Sequence, residues 1–188
     1  ARSAFNGLKS SAKGYLIKEN EEDMIDEWYD YLLNFVSTRA AKKIVSVAKG
    51  SRDIAMAIIK ATLEQTLDEG LGADATARAI RKNLVKQGVE MNQWRALRIA
   101  RTEVMSASNI GTHAAAQATN LPMDKYWIAT YDNRTRDTHR VMEEQNPRPI
   151  EEPFLVGGVW PAECPHDPDL PPEEVINCRC TIAFEVIM

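Results

Sequence analysis

Apolar residues recur every three or four positions through most of the first 120 residues; beyond them the spacing shortens toward alternation. In ENEEDMIDEWYDYLLNFV, Ile25, Trp28, Leu32 and Phe35 fall on one face of a predicted helix. Asn20 is placed to cap it, with Glu21, Glu22 and Asp23 at the positive end of its dipole. Lys42, Lys43 and Lys49 lead to Gly50, a predicted stop. SRDIAMAIIKATLEQTLDEG then predicts a helix from a Ser51 cap to Gly70, with Met56, Ile59, Leu63 and Leu67 inward. DATARAIRKNLVKQG predicts a shorter one from Asp74 to Gly88 that buries Ala77, Ile80 and Leu84. The longest runs from about Asn92 to Ala118, with Leu97, Ala100, Val104, Ala107 and Gly111 as its inner line. Small residues there let another backbone approach closely, which puts this helix at the centre of the packing.

After TNLP the texture changes. KYWIATY is β-branched and aromatic and predicts a strand. FLVGGVW predicts a hairpin turning on Gly157 and Gly158, and CRCTIAFEVI a closing strand. Eight of the nine prolines follow residue 145, in NPRPIEEPF and PAECPHDPDLPPEE, so stiff loops join these strands. The fold class is therefore α+β: a helical N-terminal region over residues 1–91, then a long helix packed on a small antiparallel β unit over 92–188. No internal repeat is present.

Composition narrows the classes. The 188 residues are 44% hydrophobic and 27% charged, as in ordinary globular chains. No apolar run approaches the roughly 20 residues that cross a bilayer, and no signal-peptide pattern opens the chain. No membrane partner is expected. The chain opens on Ala1, which reads as a fragment or a processed form. Three cysteines, an odd number, fit a reducing cytoplasm better than a disulfide framework. A net charge of −4 gives no global reason to bind nucleic acid. Locally, however, Arg78, Arg81, Lys82 and Lys86 lie along one helix and Arg95, Arg98 and Arg101 along the next. They can meet phosphates, or form a solvated face, since no aromatic stacking residues are interleaved with them.

The chemistry concentrates in the second half. Cys178 and Cys180 in VINCRC are two apart, and in a strand such residues project to the same face. A disulfide between them would close a tight ring in extended backbone. A shared metal suits the spacing, with His139, Cys164 and His166 as further ligands; thiolates with histidine make a normal zinc complement. The other reading is of free thiols, with Cys180 in the core and His139 on the surface. Arg101, Glu103 and Asn109 sit on a helix lined with small residues; Arg101 or Glu103 is expected to hold loops of the β unit by hydrogen bonds, the other reading being a catalytic carboxylate at Glu103. Asp132, Arg134, Arg136, Asp137, His139 and Arg140 crowd YDNRTRDTHRVM. They read either as a solvated loop with weak ion pairs or as an acid–base or metal group. No phosphate-cradling glycine loop and no Ser-His-Asp order is present.

A helix with IARTE, then YWIATYDNRTRDTH, then PFLVGG, then PHDPDLPPEEVINCRC resembles the phage Mu F-like family of minor head or head-morphogenesis proteins of tailed bacteriophages. The resemblance covers about residues 92 to 182. Its pattern falls on Arg101, Thr102 and Glu103, on Asp132, Arg134, Arg136 and His139, and on Pro172, Asn177, Cys178, Arg179 and Cys180. It implies a structural, non-enzymatic protein of the virion, assembled in the host cytoplasm. The portal protein, other head proteins and packaged double-stranded DNA are the partners it implies. His139, Cys178 and Cys180 become the expected metal ligands, holding a structural zinc, with the fourth ligand open among Asp132, Cys164, His166 and water. The rival is a metal-dependent hydrolase or nuclease using the same zinc, with Glu103 or Asp132 as base.

Overall fold

A computed structural model of the chain describes residues 49–187 apart from Glu90; the predicted helix around Trp28 lies outside the described residues. Three helices come first: α1 Lys49–Asp68, α2 Ala73–Lys86 and α3 Gln93–Ala118. In α2, Ala77, Ile80 and Leu84 are buried as their spacing requires. α1 is already helical at Lys49, ahead of the start predicted at Ser51, and the helix that Gly50 is predicted to stop lies outside the described residues. Its buried line is Ala55, Ile59 and Leu63 with Thr62 and Thr66, so Met56 is only half-buried. Asn92 caps α3 by accepting a hydrogen bond from the Trp94 N–H at 2.8 Å. Ala100, Ala107 and Gly111 of α3 are buried and Leu97 and Val104 half-buried.

The β unit follows. β1 (Met123–Ile128) pairs antiparallel with β5 (Thr181–Val186) on one side and with the two-residue β2 (Arg148–Pro149) on the other. β3 (Phe154–Val156) and β4 (Trp160–Ala162) form a separate hairpin. Gly157 and Gly158 turn it at φ +59° and +73°, the left-handed region that favours glycine. Two short helical turns, α4 (Asp137–Arg140) and α5 (Pro172–Val175), and a 3₁₀ turn at Met142–Gln145 interrupt the loops.

Side-chain amides extend the sheet where backbone pairing stops. Asn146 accepts from the Trp127 N–H at 2.7 Å and donates to the Trp127 carbonyl at 2.8 Å. Gln145 does the same for Leu155, at 2.9 and 3.0 Å. One core cluster runs from Ile59, Ile80 and Ala100 of the helices through Trp127 and Phe154 to Cys178 and Ile182. The α+β expectation thus holds.

On β1, Met123, Lys125 and Trp127 all face inward, so a lysine occupies an apolar slot. Its ammonium donates to the Glu163 carboxylate at 2.9 Å and to the Glu163 carbonyl at 3.1 Å, and lies 5.2 Å from the centre of the Phe154 ring. The same carboxylate is 3.8 Å from Nε2 of buried His113. Burial, with the Lys125 charge second, lowers the His113 pKa to about 4. The unfolded chain, near 6.5, therefore binds a proton that the folded chain refuses. This contribution is present in full above pH 6.5 and lost as pH falls toward 4. Its loss costs on the order of 3 kcal/mol. Urea midpoints measured from pH 7.5 to 4 are expected to fall across that window, and less steeply in His113→Gln.

Candidate metal centre

The second half of the chain folds around one buried imidazole. Arg136 precedes α4, and its guanidinium donates to the Ile176 carbonyl at 2.7 Å, tying α4 to the turn after α5. His139, on α4, is thereby aimed inward; it is 2% exposed. Trp127 meets it edge-on, with ring centres 5.6 Å apart at 82°.

The thiols arrive from the other end. After α5, Asn177 turns the chain at φ +59°, a conformation that asparagine tolerates better than most residues. The Asn177 N–H donates to the Thr102 hydroxyl of α3 at 2.9 Å. Cys178 and Cys180 follow before β5 begins at Thr181, so they precede the strand rather than lying in it. Their sulfurs nonetheless converge. Each Sγ lies 3.4 Å from His139 Nδ1, and one donor atom from each of the three residues lies within 4.8 Å of the others.

Those distances suit a metal. A tetrahedral zinc with Zn–S near 2.3 Å and Zn–N near 2.0 Å spaces its sulfur and nitrogen ligands about 3.5 Å apart. The other ring nitrogen of His139, Nε2, is 3.0 Å from Glu174 Oε2 and finds no aligned hydrogen-bond partner. Glu174 itself accepts from the Thr138 hydroxyl at 2.9 Å. A carboxylate on the far nitrogen is the usual outer partner of a metal-binding histidine, fixing the tautomer that leaves Nδ1 unprotonated. A hydrogen bond from Cys178, with His139 beside it, lowers the Cys180 pKa, and the same neighbouring sulfur together with burial raises that of Cys178. A dication would favour loss of both protons. Glu174→Gln is expected to weaken zinc binding by about 10–100-fold while keeping one equivalent per chain; competition with a chromophoric chelator checks this.

The remaining expected ligands are placed elsewhere. Asp132 takes a two-pronged ion pair from Arg179, at 2.5 and 2.7 Å, and Arg134 lies 3.6 Å away. The Arg179 guanidinium, helped by the Arg134 backbone N–H, holds the Asp132 carboxyl well below the usual carboxylate range. Asp132 is thus engaged by Arg179 and stands outside the group of donors around His139. Cys164 is fully buried, and burial raises its thiol pKa well above the ordinary value, leaving a neutral core thiol. His166, at φ +66°, is a hydrogen-bond hub: its Nε2 is 3.0 Å from the Cys178 carbonyl and its Nδ1 3.0 Å from the Asn109 amide. Among the described residues the group placed to hold a metal ion is His139, Cys178 and Cys180, without Cys164 or His166.

The helix that holds these loops does so through residues the sequence reading used little. Thr102, Ser106 and Asn109 form a buried polar stripe on α3 at spacings of four and three. Ser106 donates to the His166 carbonyl at 3.0 Å, and Asn109 donates to the Cys180 carbonyl at 3.0 Å while accepting from the Ile182 N–H at 3.3 Å. Arg101 and Glu103 are half-buried on the flanks of that stripe. Arg78, Arg81, Lys82, Lys86 and Arg98 are exposed and Arg95 is half-buried.

A helical layer carrying a small antiparallel sheet, with one shared core and a buried imidazole beside two thiols, defines an α+β module. The chain belongs to the family described as Phage Mu protein F like protein, which matches residues 57–183. It is also 28% identical, over 202 aligned residues, to an NAD(+)–arginine ADP-ribosyltransferase, EFV, of Enterococcus faecalis (strain ATCC 700802 / V583). That alignment covers 96% of this chain and 39% of the relative, so the chain spans well under half of it. No solved structure matches. No helix among the described residues is long and apolar enough to cross a membrane.

Proposed function

We propose that the chain is a minor head component of a tailed bacteriophage or prophage, carried in the virion at the portal vertex, with a structural zinc and no catalysis of its own. Membership in the phage head family supports the structural role. The observation that carries the metal reading is the 3.4 Å approach of both sulfurs to one imidazole nitrogen. In this reading His139, Cys178 and Cys180 hold the ion and Glu174 orients the imidazole. Bound zinc supplies a cross-link between the loop after β1 and the loop before β5, which 39 residues of chain otherwise separate. Residues 1–91 form the docking region and 92–188 the head-morphogenesis module. The exposed α2 cations Arg78, Arg81, Lys82 and Lys86, with Arg95 and Arg98 of α3, face the portal protein or packaged double-stranded DNA. Their affinity for DNA would fall steeply with salt.

A second reading is a zinc-dependent hydrolase or nuclease. Of its two proposed bases, Glu103 and Asp132, the second is already paired with Arg179, which weighs against it in that role. ADP-ribosyl transfer, the activity in the relative's name, belongs to a protein most of whose length this chain does not span. The test is to mix the full 188-residue chain, zinc-loaded, with purified portal oligomer and with duplex DNA. Co-migration with the portal and intact DNA is expected. Cleavage of DNA, or NAD-dependent labelling of an arginine acceptor, would overturn the structural reading.

A further inference from the structure

The three donors form the floor of a small cleft, and what lines the rest of it has a chemical character of its own. The cleft holds about 10 Å³, room for about one water-sized group, and His139, Cys178 and Cys180 share its wall with Arg134, Arg136 and Asn177. The donors are buried, whereas Arg134 and Asn177 are exposed, so the cleft runs from the cluster outward to solvent. No fourth protein ligand reaches it among the described residues: the candidate group ends at three. Asp132 is committed to Arg179. Glu174 is on the far side of the imidazole, at Nε2 rather than Nδ1.

The guanidiniums are not equivalent. Arg179 and Arg134 share the Asp132 carboxylate. Arg136 donates to a neutral carbonyl, that of Ile176, and among the described residues no carboxylate pairs with it. A planar guanidinium with free donors, next to an open metal position, matches an oxyanion that gives one oxygen to the metal and others to the fork.

Resting on the zinc reading above, we propose that the metal's fourth ligand is exogenous, a water exchangeable for one oxygen of a phosphate-type oxyanion whose bulk stays at the solvent-facing mouth of the cleft, against Arg136 and the exposed Arg134, whose 3.6 Å contact with Asp132 is loose. The zinc then still cross-links the two loops through three protein donors, but its fourth position is open and exchangeable rather than closed by a fourth side chain. The phosphate has two sources with the same chemistry, free inorganic phosphate and the backbone of packaged DNA. With DNA, the cleft would add a metal-anchored contact to the basic face of α2.

Cobalt(II) reports on this directly, because its visible bands respond to the fourth ligand and its thiolate charge-transfer band reports the two sulfurs. The full chain loaded with one equivalent of cobalt is titrated with inorganic phosphate, and separately with a short duplex. The expected result is a saturable change in the visible bands with the charge-transfer band retained. Arg136→Gln, and independently the exposed Arg134→Gln, should weaken the phosphate response at least about 10-fold while cobalt still binds one to one. A response to duplex at much lower concentration than to phosphate names DNA as the source, and a response to phosphate alone names the free ion. Cobalt bound with both thiolates but blind to both titrants would overturn the open position and leave the metal site standing. Absence of a thiolate–cobalt band would remove the metal reading, and this inference with it.

Discussion

Cys180→Ser protein is expected to purify without stoichiometric zinc and to unfold well below the wild-type chain. The thiolate at 180 is one of three donors that meet at a point, and a serine hydroxyl stays protonated and neutral at neutral pH. Loss of a direct ligand should weaken zinc binding by more than the roughly 10–100-fold that loss of an outer partner such as Glu174 costs. Binding to the folded form alone stabilises it by about 4 kcal/mol when free zinc is about 1,000 times Kd. The variant forfeits that contribution, and the wild-type chain should lose it on addition of a strong chelator. Cys164→Ser supplies the contrast. Cys164 is equally buried but outside the cluster, so its variant should keep one zinc per chain. Metal content by elemental analysis and urea midpoints with and without chelator check all three proteins.

Trp127→Ala is the second large effect, and its origin is packing. Trp127 is fully buried and stands edge-on to two rings, His139 at 5.6 Å and Phe154 at 5.5 Å. Truncating an aromatic residue of that size leaves a cavity the fixed sheet cannot fill, at about 3–5 kcal/mol. For a chain of this length that corresponds to a fall in Tm of roughly 6–20 °C. The indole also buttresses the imidazole, so zinc affinity should fall alongside stability even though no ligand is removed. Trp127→Phe should recover part of both. Calorimetry of the two variants, with a zinc competition assay on each, decides the matter.

Much of the layout was legible because it follows from local rules. The spacing of Ala77, Ile80 and Leu84 gave α2 its buried face, and Gly157–Gly158 gave the hairpin its turn. The meeting of His139 with Cys178 and Cys180 was legible from two thiols on alternate positions together with the family-like order of motifs. What remained hidden depended on tertiary contacts. Glu174 looked like one more acid in a proline-rich run, and only the fold brings it to His139. His166 carried ligand chemistry in the sequence but is used as a hydrogen-bond hub. Lys125 sits at an inward position of β1 because Glu163, 38 residues on, returns to pair with it. The Thr102–Ser106–Asn109 stripe did leave a trace, small polar residues at helical spacing, which marks a helix that fastens loops.

Zinc-edge X-ray absorption on the full chain, loaded with one equivalent of zinc, puts the central claim at most direct risk. Two sulfurs near 2.3 Å with nitrogen or oxygen donors near 2.0 Å are expected, and the sulfur shell should drop to one in Cys180→Ser. A first shell of oxygen and nitrogen only, or a chain that takes up no zinc while remaining folded, would contradict it.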